Sequence, residues 1–237
     1  MSSLAISFDA LGVDATEDPL ALLPRTPLRR YGKNQVIYGP QERVEALYLI
    51  VDGRVKISRP RNGWEVVLAF LQKDDFLGEA VFSGSPHQGE QATALADTSL
   101  MVWPIGELKR LMLRTPALGP ALLRYLAQKL SECNARIEGL CLDPLKRRLV
   151  AALLDMGQRL GQPGNDPFVH LLPVTHEQLA CYLGTSRELV TQYMNLLRRE
   201  GLLRYSRRGL DLNLPALQGY LQREAGSDSD RIPPVTA

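Results

Sequence analysis

The chain has 237 residues, 45% hydrophobic and 23% charged side chains and a formal net charge of +2, which suits a globular protein of two domains, each with its own core. No apolar run approaches the roughly 20 residues that span a bilayer, and Met1-Ser2-Ser3-Leu4-Ala5 lacks the basic and apolar regions of a secretory signal. Three cysteines, an odd number without a secretion signal, fit a reduced, cytoplasmic protein with no membrane partner.

Residues 1–27 hold Pro19, Pro24 and Pro27 and read as a loose or short helical lead-in. Residues 28–115 form the next region. Strand-like runs fall at 35–38, 46–51, 55–59, 65–71, 91–96 and 99–103, separated by turn signals such as Asp52-Gly53, Asn62-Gly63 and Lys73-Asp74-Asp75. Short strands at that interval predict a barrel or sandwich. A short helix comes next over 106–113, and Pro116 opens a long one that fills 116–142. Along it Leu123, Leu126, Leu130, Cys133, Ile137 and Leu140 are spaced 3, 4, 3, 4, 3, the a/d seam of helices packed along one another. A helix laid on the barrel would show the same stripe, but a homodimer better suits the domain beyond residue 142. Asp143-Pro144 breaks the helix, with Asp143 as N-cap and Pro144 at the first helical position of the next. This is the predicted hinge, and residues 143–225 form the second domain. Residues 226–237 are polar and proline-rich and are expected to be disordered.

The second domain contains the most informative stretch, residues 175–190. Thr175 can cap a first helix, with Gln178 at the third position of a capping box. Leu179, Ala180 and Leu183 supply its inner face. Gly184 permits a left-handed turn, and Ser186 can cap a second helix. There Leu189, Val190, Tyr193, Leu196 and Leu197 are expected to face inward, leaving Arg187, Glu188, Thr191, Gln192 and Asn195 outward. Two helices about a glycine turn are how a protein presents a helix to the major groove, and these outward side chains suit base edges and phosphates.

Gly201 ends the second helix, and residues 202–212 carry a β-hairpin pattern with Arg207-Arg208-Gly209 at its tip. A basic hairpin after such a helix is the wing of a winged helix, with Arg204, Arg207 and Arg208 placed for phosphates. Residues 1–140 hold equal numbers of basic and acidic side chains, whereas 141–223 hold eleven and seven. The positive excess lies where double-stranded DNA binding requires it. Two such units about a two-fold axis would read half-sites roughly 34 Å apart. Nothing suggests an enzyme. The chain has no nucleophile elbow, no phosphate-binding glycine loop, no His-Glu-x-x-His and no cysteine pairs of zinc spacing.

In this order the pieces resemble the bacterial regulators of the cyclic-AMP receptor protein and fumarate-nitrate reductase regulator (CRP/FNR) family. The resemblance covers roughly residues 28–222. It is carried by Leu47-Tyr48-Leu49-Ile50-Val51-Asp52-Gly53-Arg54-Val55-Lys56, by Asp75-Phe76-Leu77-Gly78-Glu79 and by Thr185-Ser186-Arg187-Glu188-Leu189-Val190. It implies an α+β chain: an N-terminal double-stranded β-helix (a jelly roll like the cyclic-nucleotide-binding domain), a long dimerisation helix and a C-terminal winged helix-turn-helix. It also implies control of transcription through RNA polymerase. Residues matching Arg187, Glu188 and Gln192 read bases in the family, and Ser186 joins the DNA-contacting set. Gln192 stands where the cyclic-AMP receptor has an arginine, so the preferred site should differ.

The resemblance places an effector pocket at Gly78, Glu79, Glu90, Gln91, Glu132 and Cys133. Cyclic-nucleotide binders follow their Gly-Glu with an Arg-Ser or Arg-Thr pair that grips the phosphate. Here Glu90-Gln91 stands at those positions, and no arginine lies between Lys73 and Lys109. A carboxylate there repels phosphate and forfeits strong charge-assisted hydrogen bonds, so cyclic AMP is expected to bind weakly or not at all. The acidity of the set disfavours any anionic ligand. No cofactor or metal is expected. The first cysteine is Cys133, which excludes the N-terminal cysteine cluster of the iron–sulfur branch, and His87 is the lone haem-ligand candidate, more simply a solvated loop residue. The alternative to a regulator that is simply not controlled by cyclic AMP is a module gated by another small molecule, or by oxidation of Cys133 across the seam, and a final option is no effector at all. Cys133 as a small apolar core residue is the simpler view.

Overall fold

The computed structural model describes residues 18–83, 89–164, 167–171, 173–206 and 209–228. The chain divides into two compact units, residues 1–135 and 136–237.

In the first unit a short helix, α1 (Pro19–Leu22), precedes the strands β1 (Arg29–Tyr31), β2 (Val36–Tyr38), β3 (Ala46–Asp52), β4 (Arg54–Arg61), β5 (Trp64–Gln72), β6 (Phe76–Leu77), β7 (Gln91–Ala94) and β8 (Thr98–Pro104). They form two antiparallel sheets, in the orders β1-β8-β3-β6 and β2-β7-β4-β5. Asn62 (φ 53°) and Gly63 (φ 81°) make the tight turn between β4 and β5, the paired left-handed residues that suit the twist of a hairpin. Strand alternation builds two cores. Ala46 and Ile50 of β3, with Leu100 and Val102 of β8, point between the sheets and meet Tyr38, Val55, Ile57 and Leu71. Leu47, Leu49 and Trp103 point to the other face, where they bury Leu108 of α2 (Ile105–Arg114) and Leu118 and Leu122 of α3 (Leu118–Leu142). Because β3 is buried on both faces, it reads as a continuous apolar run. The result is a jelly roll with helices on one sheet.

Sequence periodicity missed β1 and β6, which are only three and two residues long. It also placed the start of α3 too early. Proline disfavours helical backbone in the residue before it. Thr115 is accordingly non-helical (φ −128°, ψ 82°), and the chain makes one turn, Leu118 N to Thr115 O at 3.0 Å, before the helix begins.

The second unit contains α4 (Leu145–Leu160), β9 (Gln162–Pro163), β10 (Phe168–Leu171), α5 (His176–Leu183), α6 (Arg187–Arg199), β11 (Leu203–Ser206), β12 (Gly209–Asn213) and α7 (Leu214–Asp228). Its sheet runs β11-β12-β10-β9, so the wing hairpin is extended by two strands from the other side of the helix pair. Leu149, Leu153, Leu171, Leu179, Val190, Met194, Leu197, Leu203 and Leu212 are buried in this unit.

Two boundaries differ from expectation. The N-cap of α4 is Pro144, with no side-chain cap. The carboxylate of Asp143 is drawn instead to Arg147 Nε at 3.1 Å, an ion pair one turn along. At the other end α7 continues through Gly226 to Asp228. A helical glycine costs only about 1 kcal/mol and does not by itself end a helix. The remainder of the expected tail lies outside the described residues.

The lead-in is tied to the roll. Trp103 is buried, and its Nε1 donates to the Pro24 carbonyl at 3.0 Å, while Val102 N donates to Thr26 Oγ1 at 3.1 Å. Trp103→Phe keeps most of the apolar burial but strands the Pro24 carbonyl. It should destabilise the chain by about 1–3 kcal/mol in urea unfolding followed by circular dichroism.

Candidate nucleic-acid interface and effector site

Local chemistry sets the helix pair. Thr175 Oγ1 accepts from Gln178 N at 3.1 Å and Gln178 Oε1 accepts from Thr175 N at 2.9 Å, closing the capping box at the start of α5. Gly184 ends the helix with φ 64°, and Ser186 Oγ accepts from Leu189 N at 3.3 Å to start α6. The buried line of α6 is Val190, Met194 and Leu197, spaced 4 and 3. Leu189 and Leu196, expected inside, are exposed on the flank of that line, and Tyr193 is half-buried. The helix turns too far between Leu189 and Val190 for both to face the core, and Met194 takes the place assigned to its neighbours.

Opposite the buried line lie Glu188, Gln192, Asn195 and Arg199, spaced 4, 3 and 4. Asn195 is half-buried and the others are exposed. Arg187 is exposed beside them. Arg199 extends the polar line and was not singled out from the sequence, although its spacing from Asn195 was the available signal. Glu188 sits at the helix N-terminus, where its own backbone N–H and the Ser186 side chain hold its carboxyl below the usual range. Thr191 differs from its expected companions. Its hydroxyl donates to the Arg187 carbonyl at 2.8 Å and lies 2.8 Å from His176 Nδ1.

In the wing, Arg204 places its guanidinium 4.3 Å from the Phe168 ring centre, while His170 Nδ1 lies 2.8 Å from Asp211 Oδ1 on the paired strand. Strand alternation turns the neighbouring Tyr205 the other way, toward His176. Arg207 and Arg208 lie outside the described residues.

In the roll, the structure brings Glu79 and Glu90 together beside Tyr38. Gly78 enters the turn with φ 87°, and a Cβ there would stand 2.6 Å from the Ala46 carbonyl. Burial pushes the Glu79 carboxyl up to about 7, with Glu90 adding to the rise and Lys129 opposing it. Burial raises Glu90 as well, against the pull of Arg59, whose Nη2 donates to Glu90 Oε1 at 3.4 Å. Desolvation and the charges of Glu79 and Glu90 raise the Tyr38 hydroxyl far above its ordinary value. Gln91 is engaged elsewhere, donating to Thr93 Oγ1 at 3.1 Å. Glu132 is exposed and bound by Lys129, which also reaches Asp75 Oδ1 at 3.2 Å. Tyr125 of α3 stands edge-on to Phe76, 5.1 Å between ring centres, and accepts from Phe76 N at 3.0 Å. Cys133 is exposed in the single chain. His87 lies outside the described residues.

Arg59 and Lys129 are the groups that sequence reasoning missed. They arrive from β4 and α3, and they offset the acidity that was expected to disfavour an anion. The Arg59 guanidinium is itself paired with Glu90.

The stripe on α3 is open. Leu123 (53% exposed), Leu130 (62%), Ile137 (57%) and Leu140 (40%) stand in solvent with Cys133, and Leu126 is half-buried. The side of α3 that meets the roll is a different one, formed by Leu118, Leu122 and Tyr125.

The model of the cyclic nucleotide-binding domain matches residues 28–115, and that of the Crp-like helix-turn-helix domain matches residues 147–220. A transcriptional regulator of Thermus thermophilus, SdrP, is 31% identical over 173 residues, 70% of this chain and 77% of its own. The chain belongs to the CRP/FNR family of transcriptional regulators. A cyclic AMP receptor protein of the same organism is 29% identical, covering 74% of this chain and 79% of that protein. A solved CRP/FNR-family regulator of Thermus thermophilus superposes with a TM-score of 0.67 at 28% identity, over 83% of this chain and 98% of that one. Residues 175–199 are thus the helix-turn-helix of a CRP/FNR regulator, and the roll is its cyclic-nucleotide-binding-type domain. Among the described residues no helix is long and apolar enough to cross a membrane.

The raised Glu79 carboxyl carries a pH signature. The folded chain holds an extra proton between the ordinary value of 4.5 and about 7, so this group's contribution to stability falls as pH rises through that window and levels off above it. Glu79→Gln should flatten that slope in urea unfolding between pH 5 and 8. An unchanged slope would place the carboxylate in water.

Proposed function

We propose that the chain is a cytoplasmic, homodimeric, sequence-specific DNA-binding regulator of transcription that reads a two-fold symmetric site and works without cyclic AMP. The observation that carries the dimer is the open apolar stripe on α3, because an apolar line at a/d spacing in water is what a second copy of the same helix covers. The polar line on α6 supplies the reading head. Arg187 suits the two acceptors of a guanine, Glu188 a cytosine amine, and Gln192 and Asn195 an adenine edge. Ser186 lies beside them, while Arg204, Arg207 and Arg208 of the wing serve the phosphates. RNA polymerase is the partner that such a regulator addresses once bound.

Independence from cyclic AMP rests on the Arg59–Glu90 pair. A phosphate would have to displace the carboxylate from the guanidinium and then lie against Glu90 and Glu79. Replacing one anion with another gains little, and it leaves a carboxylate unpaired in a half-buried site.

The test is selection of binding sites from a random duplex pool with reduced protein and no ligand. Enrichment of a symmetric site is the expected result, and no enrichment would contradict the reading. Arg187→Ala should then cost roughly 1–3 kcal/mol and relax one base position per half-site. Asp at both Leu130 and Ile137 should give a monomer in sedimentation velocity and abolish the preference for two half-sites over one. Calorimetry should show no micromolar binding of cyclic AMP.

A further inference from the structure

Three elements of the second unit meet at one imidazole. His176, the first residue of α5, has its Nδ1 2.8 Å from Thr191 Oγ1 on α6 and its Nε2 2.8 Å from Tyr205 Oη on β11. Thr191 Oγ1 in turn stands 2.8 Å from the Arg187 carbonyl. These three contacts fix where the protons are. Two oxygens at 2.8 Å need a proton between them, and a carbonyl has none, so the Thr191 hydroxyl donates to Arg187. With its one proton committed, Thr191 Oγ1 can only accept from the ring, and Nδ1 must carry a hydrogen. A neutral imidazole then has a bare Nε2, which accepts from the Tyr205 hydroxyl. Each hydrogen in the line has an acceptor, and the line runs one way: Tyr205 to His176 to Thr191 to the backbone of Arg187. Burial and the neighbouring Arg187 both lower the His176 pKa, which keeps the ring in the neutral form that the line requires.

From this geometry we infer that His176, held as the Nδ1–H tautomer, is the joint that registers the recognition helix against the wing, and that Thr191 and Tyr205 act on DNA specificity through it rather than by touching bases. The inference deepens the DNA-binding reading and rests on it. It gives Thr191 a different role from its neighbours on α6. Arg187, Glu188, Gln192 and Asn195 face outward, whereas the Thr191 hydroxyl is committed inside the protein at both its donor and acceptor positions. Tyr205 is 42% exposed, yet its hydroxyl is turned to the ring, and Arg198 lies 5.8 Å from its ring centre. A recognition helix needs its azimuth fixed as well as its position, and a hydrogen-bonded line to the wing supplies that constraint beyond apolar packing.

Two measurements on the full chain test this. The first is a long-range nitrogen–proton NMR spectrum of the histidine rings in free protein, with His176 assigned by its loss in His176→Gln. A protonated Nδ1 and a bare Nε2 are expected, which is the less common tautomer of free histidine. An Nε2–H ring, or an average of the two forms, would overturn the assignment. The second is affinity for the enriched duplex and for random duplex in Thr191→Val, Tyr205→Phe and the double variant. Each single change should weaken the enriched site roughly three- to tenfold, the loss of one hydrogen bond, and leave random duplex within about twofold. The double variant should be no weaker than the worse single, because one line can be cut only once. Thr191→Ser should restore wild-type affinity. Additive losses would mean that the two side chains contact DNA independently and would sink the proposal, as would equal losses on random duplex. The expected tautomer in a protein that enriches no DNA would count against the regulator reading itself and reduce the line to a contact of the fold.

Discussion

Between Leu118 and Lys129 the long helix α3 packs one side on the jelly roll. Leu118 and Leu122 fill the gap beside Trp103 and Leu47, Tyr125 stands edge-on to Phe76, and Lys129 reaches Asp75. A helix repeats every 3.6 residues, so side chains that complete this line cannot serve another. The next line over, from Leu123 to Leu140, is therefore left open by the described residues of its own chain. The same contacts tie the turn that carries Gly78 and Glu79 to the helix that carries the stripe, because Phe76 and Asp75 immediately precede that turn. The connection between the two consists of one ring contact, one backbone hydrogen bond and one ion pair.

The electrostatics of the roll are self-contained. Glu90 has Arg59, Asp75 and Glu132 share Lys129, and Glu65 has Lys56. For Glu79 burial outweighs the pull of its own backbone N–H and of Lys129, and its carboxyl takes up a proton more readily in consequence. Part-buried ion pairs of this kind contribute little net stability, since desolvation offsets most of the attraction. Their effect is to make removal of either partner costly, which keeps both in place.

How far the fold could be read from the sequence depended on the range of the interactions involved. The helix-turn-helix was legible because its signals are local: Thr175 and Gln178 are three residues apart, and Gly184 and Ser186 punctuate the turn between them and Arg187. The α3 stripe was legible for the same reason, as a period along one element. Strand β10 was not, because Phe168–Leu171 takes its hydrogen bonds from β12, some forty residues further on. Arg59 beside Glu90, Lys129 beside Asp75 and Tyr205 beside His176 are likewise meetings of distant segments, separated by 31, 54 and 29 residues. At the pocket expected from the resemblance, sequence reasoning named Glu79 and Glu90 but missed Arg59 and Lys129, so its charge balance was incomplete. On α6 it named Arg187, Glu188, Gln192 and Asn195 as outward, yet it put Leu189 and Leu196 inside and left out Met194, which is buried.

The open stripe has a thermodynamic side that concerns quantity rather than shape. Leu123, Leu130, Ile137 and Leu140 keep apolar surface in water in the single chain, and any contact between copies along them favours the folded state by mass action. If the proposed dimer forms, the melting temperature would rise with the chain's own concentration and fall on dilution, and abundance would itself become an input to the protein.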